Sequence, residues 1–393
     1  MENNIAIIKS ERKIRVKKVQ EYMQNNNVDA CFLSSNVNFY YITGIIAQGY
    51  IYIPSKGEEK IFIQNNFYIE DDENVISINR YSQLQDELKT EIKNIKNIAV
   101  EQDDISASDY FRYIKLFQEI SLSNATIIMR EVRSIKTDFE LELIRKDGEL
   151  HSKIYDIIPS FYKLGMTDVE LCADIEAYMR KQGHLGHLRS FGSKMEWFFG
   201  SLLVGDNAAY PSPYDFSLGG KGVHPSFPLS CNGEKIPNNV TLHIDLTGNY
   251  SGYLIDITRT YSIGNLPNIA YKLHDLSIEI HNKINDMVKG GLYCSEIYEK
   301  TMEIVKNNNA KEYFMGINKQ AKFIGHGVGL QINELPVIAP RFDVALKKGM
   351  VIALEPKFVI EHVGAVGIEN TYEITGNGMK NLTPANEKIT GII

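Results

Sequence analysis

The chain is poor in the residues that mark most specialised classes. Its 393 residues hold four cysteines, twelve prolines and one tryptophan. Cys31, Cys172, Cys231 and Cys294 lie far apart and form no CxxC. That spacing excludes a disulfide frame or a zinc ribbon and fits reduced thiols in a cytoplasmic protein. Neither charge sign dominates: 42 Lys and Arg stand against 49 Asp and Glu, for a net charge of −7, with both signs interspersed. A nucleic-acid or polyanion partner is therefore not expected. No apolar run approaches membrane-spanning length, so no membrane partner is expected either. The first residues, MENNIAIIKSERKIRVKK, lack an apolar core ahead of a cleavage site, so no signal peptide is expected. What is present is an apolar fraction of 44%, ample for sizeable cores, in a length that suggests two domains.

The chemistry concentrates in residues 240–262, VTLHIDLTGNYSGYLIDITRTYS. Val240, Leu242 and Ile244 alternate with Thr241, His243 and Asp245, a strand period. A turn-rich patch follows, then a second alternating run from Tyr253, which together predict a hairpin. A turn centred on residues 249–251 sets Asp245 opposite Asp256, about 5 Å apart at Cβ. Two opposed carboxylates repel unless a proton, a cation or a metal lies between them. The same register pairs His243 with Thr258 and predicts a packed near-site histidine, not a ligand.

A second hairpin repeats the device. Residues 350–355 read MVIALE and residues 366–375 read VGIENTYEIT, so that Glu355 can oppose Glu369. Between the hairpins lies Gly325-His326-Gly327-Val328-Gly329, whose glycines allow close backbone approach and leave His326 projecting from a cramped loop. Four carboxylates and one imidazole form an oxygen-rich set suited to two divalent ions.

Taken in order, residues 10–27 predict an amphipathic helix and residues 29–33 a buried strand. Residues 36–44 (NVNFYYITG) read as a loop with an aromatic cluster. Strands at 49–53, 60–64 and 98–101 alternate with helical patterns at 82–95 and 106–119, an α/β pattern. From about residue 131 the pattern changes. Thr137 with Glu140 forms a capping box, and helical stretches run to about 162 and from 168 to 182. A comparable helix pair spans 268–289 and 295–307. Each pair precedes strands and an acid-bearing hairpin, a weak internal repeat that can pack about a pseudo-twofold axis. The first half holds an excess loop at 211–228.

The order Asp245, Asp256, His326, Glu355, Glu369, with DITRT at 256–260 and GHGVG at 325–329, resembles the M24 metallopeptidases. The resemblance covers nearly the whole chain. It implies an α/β creatinase/prolidase-type N-terminal domain over residues 1–130, including YITG at 41–44. It implies an α+β "pita-bread" catalytic domain over residues 131–393. It further implies a homodimer that hydrolyses short peptides as an Xaa-Pro dipeptidase or aminopeptidase. Asp245 would chelate one ion, Asp256 and Glu369 would bridge both, and His326 and Glu355 would ligate the second. Glu355 would also shuttle the proton. Manganese suits this hard ligand set first, with cobalt, iron or zinc open.

Several positions depart from the family pattern. Asn333 stands where a substrate-facing His is usual, and Tyr210 to Tyr214 replace the segment that carries another. Lys357 stands for the usual Gly after Glu-Pro, and Gly367 for the usual Arg. His224 in the excess loop is expected to take over from a missing site histidine, and Asn333 and His243 to line the substrate. Lys357 and Gly367 should be cross-strand neighbours on the face of Glu355 and Glu369, with the ammonium restoring positive charge there. These departures leave a second class open: another metal-dependent hydrolase or lyase, or a metal-binding pseudoenzyme.

Overall fold

The computed structural model describes residues 2–64, 72–192, 194–196, 198–214, 216–288 and 291–392, and it divides into two compact units, Met1–Arg133 and Ser134–Ile393. In the first unit, helix α1 (Glu2–Asn25) precedes strand β1 (Ala30–Leu33). The aromatic stretch that follows is not a loop but helix α2 (Asn36–Thr43). Ser35 caps its start, its hydroxyl accepting from Asn38 N at 3.4 Å, and Gly44 ends it at φ 75°. The two end signals outweigh the poor helix propensity of the aromatic and β-branched residues between them. Tyr41 and Phe39 are fully buried, so the aromatics are core.

Strands β2 (Gly49–Pro54), β3 (Lys60–Gln64) and β4 (Val75–Ile78) follow, then helix α3 (Gln83–Leu88), strand β5 (Asn97–Val100), helix α4 (Ala107–Leu116) and strand β6 (Ser121–Asn124). They form one mixed sheet in the order β4-β3-β2-β1-β5-β6. Helix α5 (Ala125–Ser134) completes the segment.

The second unit holds the predicted helix pairs. These are α6 (Asp138–Ile157) with α7 (Asp168–Lys181), and α8 (Asn268–Met287) with α9 (Cys294–Asn307). Lys289, the expected end of the third helix, lies outside the described residues, as does Asp215 in the 211–228 loop. Thr137 and Thr167 build full capping boxes with Glu140 and Glu170. At the start of α9 the Glu296 carboxylate accepts from Tyr293 N at 2.9 Å. Strands β7 (Gly200–Val204), β8 (Val240–Leu246), β9 (Gly248–Asn249), β10 (Leu254–Ile255) and β11 (Thr258–Ile263) follow the first pair. Strands β12 (Gly325–Gly327), β13 (Glu334–Ile338), β14 (Val351–Leu354), β15 (Lys357–Ile360), β16 (Gly364–Gly367), β17 (Asn370–Thr375), β18 (Gly378–Asn381) and β19 (Thr390–Gly391) follow the second. The main sheets run β19-β11-β8-β7 and β13-β12-β14-β17-β18, with β15 and β16 as a separate ribbon. The helix pairs cover them with two apolar clusters, one around Ile154, Ile175 and Leu242, the other around Ile280, Ile297 and Ile352. No described helix is long and apolar enough to cross a membrane.

The first hairpin differs from expectation by two residues. Asp245 faces Thr258, and His243 faces Thr260. The extra residues go into the β9–β10 turn, where Asn249 pairs with Leu254. A shift of two keeps every side chain on its face, so Asp245 and Asp256 still share one side.

Candidate metal centre

An antiparallel bridge between Thr258 and Glu369 joins the two acid-bearing strands, with N–O distances of 3.3 and 3.2 Å. Beside it the Thr371 hydroxyl donates to Asp256 O at 2.7 Å and accepts from Asp256 N at 3.0 Å. These contacts seat the Asp256 backbone against strand β17. Pro356 cannot donate to a ladder and separates β14 from β15. Glu355 and Lys357, two residues apart, therefore face the same side on either side of that break. The pairings of Leu354 with Asn370 and of Lys357 with Gly367 share one register, which sets Glu355 opposite Glu369.

His326 lies on a central strand, not on a loop, between β13 and β14. A Cβ at Gly327 would come within 2.1 Å of Leu335 O, so this close approach requires glycine. The imidazole Nδ1 is 3.2 Å from Gly327 O. As the donor to that carbonyl, Nδ1 leaves a lone pair on Nε2, which faces Asp256 Oδ2 at 3.7 Å and Glu355 Oε1 at 3.6 Å. Such second-side bonding fixes a ligand histidine.

The five candidate ligands form two overlapping trios. Donor atoms of Asp256, His326 and Glu369 lie within 4.8 Å of one another, as do those of Asp245, Glu355 and Glu369. The second trio is filled. The fully buried Lys357 ammonium donates to Asp245 Oδ2 at 2.7 Å, Glu355 Oε2 at 2.8 Å and Glu369 Oε2 at 2.8 Å. Ser217 Oγ, at 3.1 Å, is a fourth neighbour. Burial opposes the charge on Lys357, but the three carboxylates outweigh it and hold the amine protonated far above its ordinary range.

Glu369 divides its oxygens between the trios. Oε2 accepts from Lys357 and, at 2.8 Å, from the Thr258 hydroxyl. Oε1 is buried and has no hydrogen-bond partner among the described residues. A buried carboxylate oxygen left unpaired is costly, and a cation held with Asp256 and His326 would satisfy it. The first trio thus fits a divalent ion. Burial, and then repulsion from Glu369, Asp245 and Glu355, pushes the Asp256 carboxyl well above its usual range. Burial and then Glu355 raise Glu369. Both shifts thus come from burial first, with the neighbouring carboxylates adding to it.

Three expected site residues stand elsewhere. His224 is exposed, and its Nδ1 lies 2.8 Å from the Ser226 hydroxyl in a turn closed by Phe227 N on His224 O at 2.9 Å. The loop folds back on itself there, so His224 does not replace a site histidine. The same loop instead delivers Ser217, which the sequence reading missed because a lone serine carries no periodicity. Asn333 accepts from Phe191 N at 2.6 Å and donates to Phe191 O at 3.0 Å. Its amide thus anchors the Phe191 backbone, and it is not held out for substrate. His243 is 1% exposed, so it does not line a substrate surface. Its Nδ1 lies 3.3 Å from the Thr260 hydroxyl, which itself donates to Gly367 O at 2.9 Å. Nδ1 must therefore carry the proton, and Nε2 is a buried lone pair without a partner among the described residues. Burial, then the Lys357 charge, keeps this ring neutral. Its bond is to Thr260 rather than Thr258 because of the two-residue shift.

Residues 142–376 match the family model of metallopeptidase family M24, and residues 15–135 that of the creatinase/prolidase N-terminal domain. The Xaa-Pro dipeptidase of Pyrococcus horikoshii is 26% identical over 380 residues, 95% of this chain and 98% of that protein. The Xaa-Pro dipeptidase of Pyrococcus furiosus is 27% identical over 383 residues, 96% and 99% of the two chains. The solved prolidase from Pyrococcus horikoshii superposes with a TM-score of 0.75 at 25% identity, covering 95% of this chain and 98% of that one. An Xaa-Pro dipeptidase from Bacillus anthracis gives 0.80 at 20% identity, covering 97% and 99%, which speaks to the fold alone.

Proposed function

The chain belongs to metallopeptidase family M24, and on that premise we propose that it is a metal-dependent hydrolase of short peptides, of the Xaa-Pro dipeptidase or aminopeptidase kind. The observation that carries this reading is the trio Asp256, His326 and Glu369 with the unpartnered oxygen of Glu369. The names borne by relatives that match along nearly their whole length support the peptide class. A divalent ion held there would supply Lewis acidity toward a peptide carbonyl and lower the pKa of bound water.

The chain's own residues supply the rest. Asp256 and Glu369 bring anionic oxygens from two strands, and the bridge at Thr258 holds those strands together. His326 presents Nε2 with its other nitrogen tied to the backbone. Glu355 gives Oε2 to Lys357 and keeps Oε1 toward His326, where it can take a proton from water and pass it to the leaving amine. Lys357 acts by charge, holding three carboxylates in place without leaving their midst. Manganese suits a donor set of carboxylates with one imidazole. A cytoplasmic location belongs to the same reading and agrees with four buried free thiols; the homodimer rests on the family resemblance alone.

The test is a panel of Xaa-Pro dipeptides and tripeptides assayed with added manganese, cobalt and zinc. Metal-dependent release of the free N-terminal residue is the expected result. Glu355→Gln keeps the shape but cannot accept the proton, and should lower kcat by about 10²- to 10⁴-fold. A fully metal-independent wild type would contradict the reading.

A further inference from the structure

We propose that this centre takes a single divalent ion, held by Asp256, His326 and Glu369, and that the Lys357 ammonium is a built-in cation standing where a second ion would bind. The proposal builds on the metal-dependent reading above but is separable from it by experiment.

The geometry excludes sharing. An ion bound by Asp245, Glu355 and Glu369 needs their oxygens at about 2.0–2.2 Å. The Lys357 nitrogen already sits among those oxygens at 2.7, 2.8 and 2.8 Å, and its three protons match three carboxylates. Ammonium and ion cannot occupy one point.

Nor can the lysine step aside cheaply. Its side chain is fully buried on strand β15, opposite Gly367. Gly367 has φ 126°, and a Cβ there would come within 2.8 Å of Pro356 O and 3.2 Å of Lys357 Cα. Position 367 thus has no room for a side chain, and none faces Lys357 across the strand pair. Withdrawing the ammonium from its carboxylates would leave a buried charge uncompensated.

Charge balance agrees. Asp245, Asp256, Glu355 and Glu369 bring four negative charges. One ammonium with one divalent ion brings three positive charges and leaves the remainder for substrate. Two divalent ions beside the ammonium would bring five and reverse the sign of the site, leaving one positive charge where a single ion leaves one negative.

The two trios are also satisfied differently. Every carboxylate of the Lys357 trio gives that ammonium one oxygen. The other trio retains an imidazole nitrogen and the unpartnered Glu369 Oε1. Ion affinity therefore falls on one side only. A carbon-linked ammonium is also permanent: it is not exchanged, and a chelator cannot remove it.

Metal-free wild type, Lys357→Gly and His326→Ala are titrated with Mn²⁺ alone and counted by native mass spectrometry and elemental analysis. Circular dichroism checks each fold. Wild type is expected to saturate at one ion per chain, released by chelator in a single step. Lys357→Gly is expected to take two, and His326→Ala to bind at least tenfold more weakly. Two ions in wild type, or one in a folded Lys357→Gly, would overturn the proposal. If Lys357→Gly does not fold, the wild-type count decides alone. The count needs no peptide, so a wild type with one ion and no peptidase activity would sink the peptidase reading and leave this one standing. Two ions with peptidase activity would do the reverse.

Discussion

Asp256, His326 and Glu369 offer two carboxylates and an imidazole nitrogen, with the buried Glu369 Oε1 lacking a hydrogen-bond partner among the described residues. A few ångströms away Asp245, Glu355 and Glu369 offer three carboxylates, each bonded to Lys357. Both sides face the same electrostatic problem, carboxylates crowded against one another and largely buried. One side solves it with a cation on the chain itself, the other by keeping a place for a cation from solution. The difference comes from residue 357, whose buried ammonium bonds all three carboxylates of its trio.

Glu369 serves both sides, so its loss should have the largest effect. Glu369→Ala is expected to lower kcat/KM by about 10³-fold or more and to reduce stability by about 3 kcal/mol as Lys357 loses a partner. Steady-state kinetics and denaturant unfolding measure the two together. Retained activity would mean that the two trios do not share this residue.

The next pair of substitutions should separate the sides. Lys357→Met leaves buried carboxylates unpaired and should destabilise the metal-free protein by about 3–5 kcal/mol. His326→Ala should leave metal-free stability within about 0.5–1 kcal/mol, because the ring's hydrogen bond to Gly327 O is a long one, while ion binding collapses. Thermal unfolding with and without Mn²⁺ reads both. Equal destabilisation by the two changes would erase the distinction.

Smaller effects sharpen it. Ser217→Ala removes the fourth neighbour of the ammonium, and Thr258→Val removes the hydroxyl on Glu369 Oε2. Each should cost about 1–3 kcal/mol, as hydrogen bonds to charged groups do. Urea midpoints should fall for both, with ion stoichiometry unchanged.

The last effect lies outside the cluster, is absent at neutral pH and serves as the control. Burial lowers the His151 pKa to about 4, with Leu246 O 2.8 Å from Nε2 and the Tyr250 hydroxyl 3.0 Å from Nδ1. The unfolded chain binds a proton that the folded chain refuses between about pH 6.5 and 4. Stability contributed by this site is complete above that window and falls as pH drops through it. His151→Gln should flatten that slope in pH-dependent unfolding without altering Mn²⁺ uptake at neutral pH.

Much of this centre is legible in the sequence because strand parity survives error. Asp245 and Asp256 share a face even though the turn takes up two residues more than predicted, and the second hairpin keeps its expected register. The cross-strand partnership of Lys357 with Gly367 follows from the same counting. Counting along a strand cannot supply depth, however. That the ammonium enters the carboxylate trio rather than lying beside it is seen only in the three-dimensional distances to Asp245, Glu355 and Glu369. The loop at 211–228 resists such reading altogether. It has no period, so its polar contact with the centre through Ser217 and the outward turn at His224 emerge only from three-dimensional packing. In the first unit, the capping signals at Ser35 and Gly44 were present in the sequence but were hidden behind an aromatic run that reads as a loop.

The difference between the two trios is tested most directly by anomalous diffraction at the manganese edge, from crystals of the wild-type protein grown with excess Mn²⁺. One anomalous peak bounded by Asp256, His326 and Glu369, with the Lys357 amine still among Asp245, Glu355 and Glu369, is the expected result. A second peak of comparable height between Asp245 and Glu369, with the lysine displaced, would contradict it.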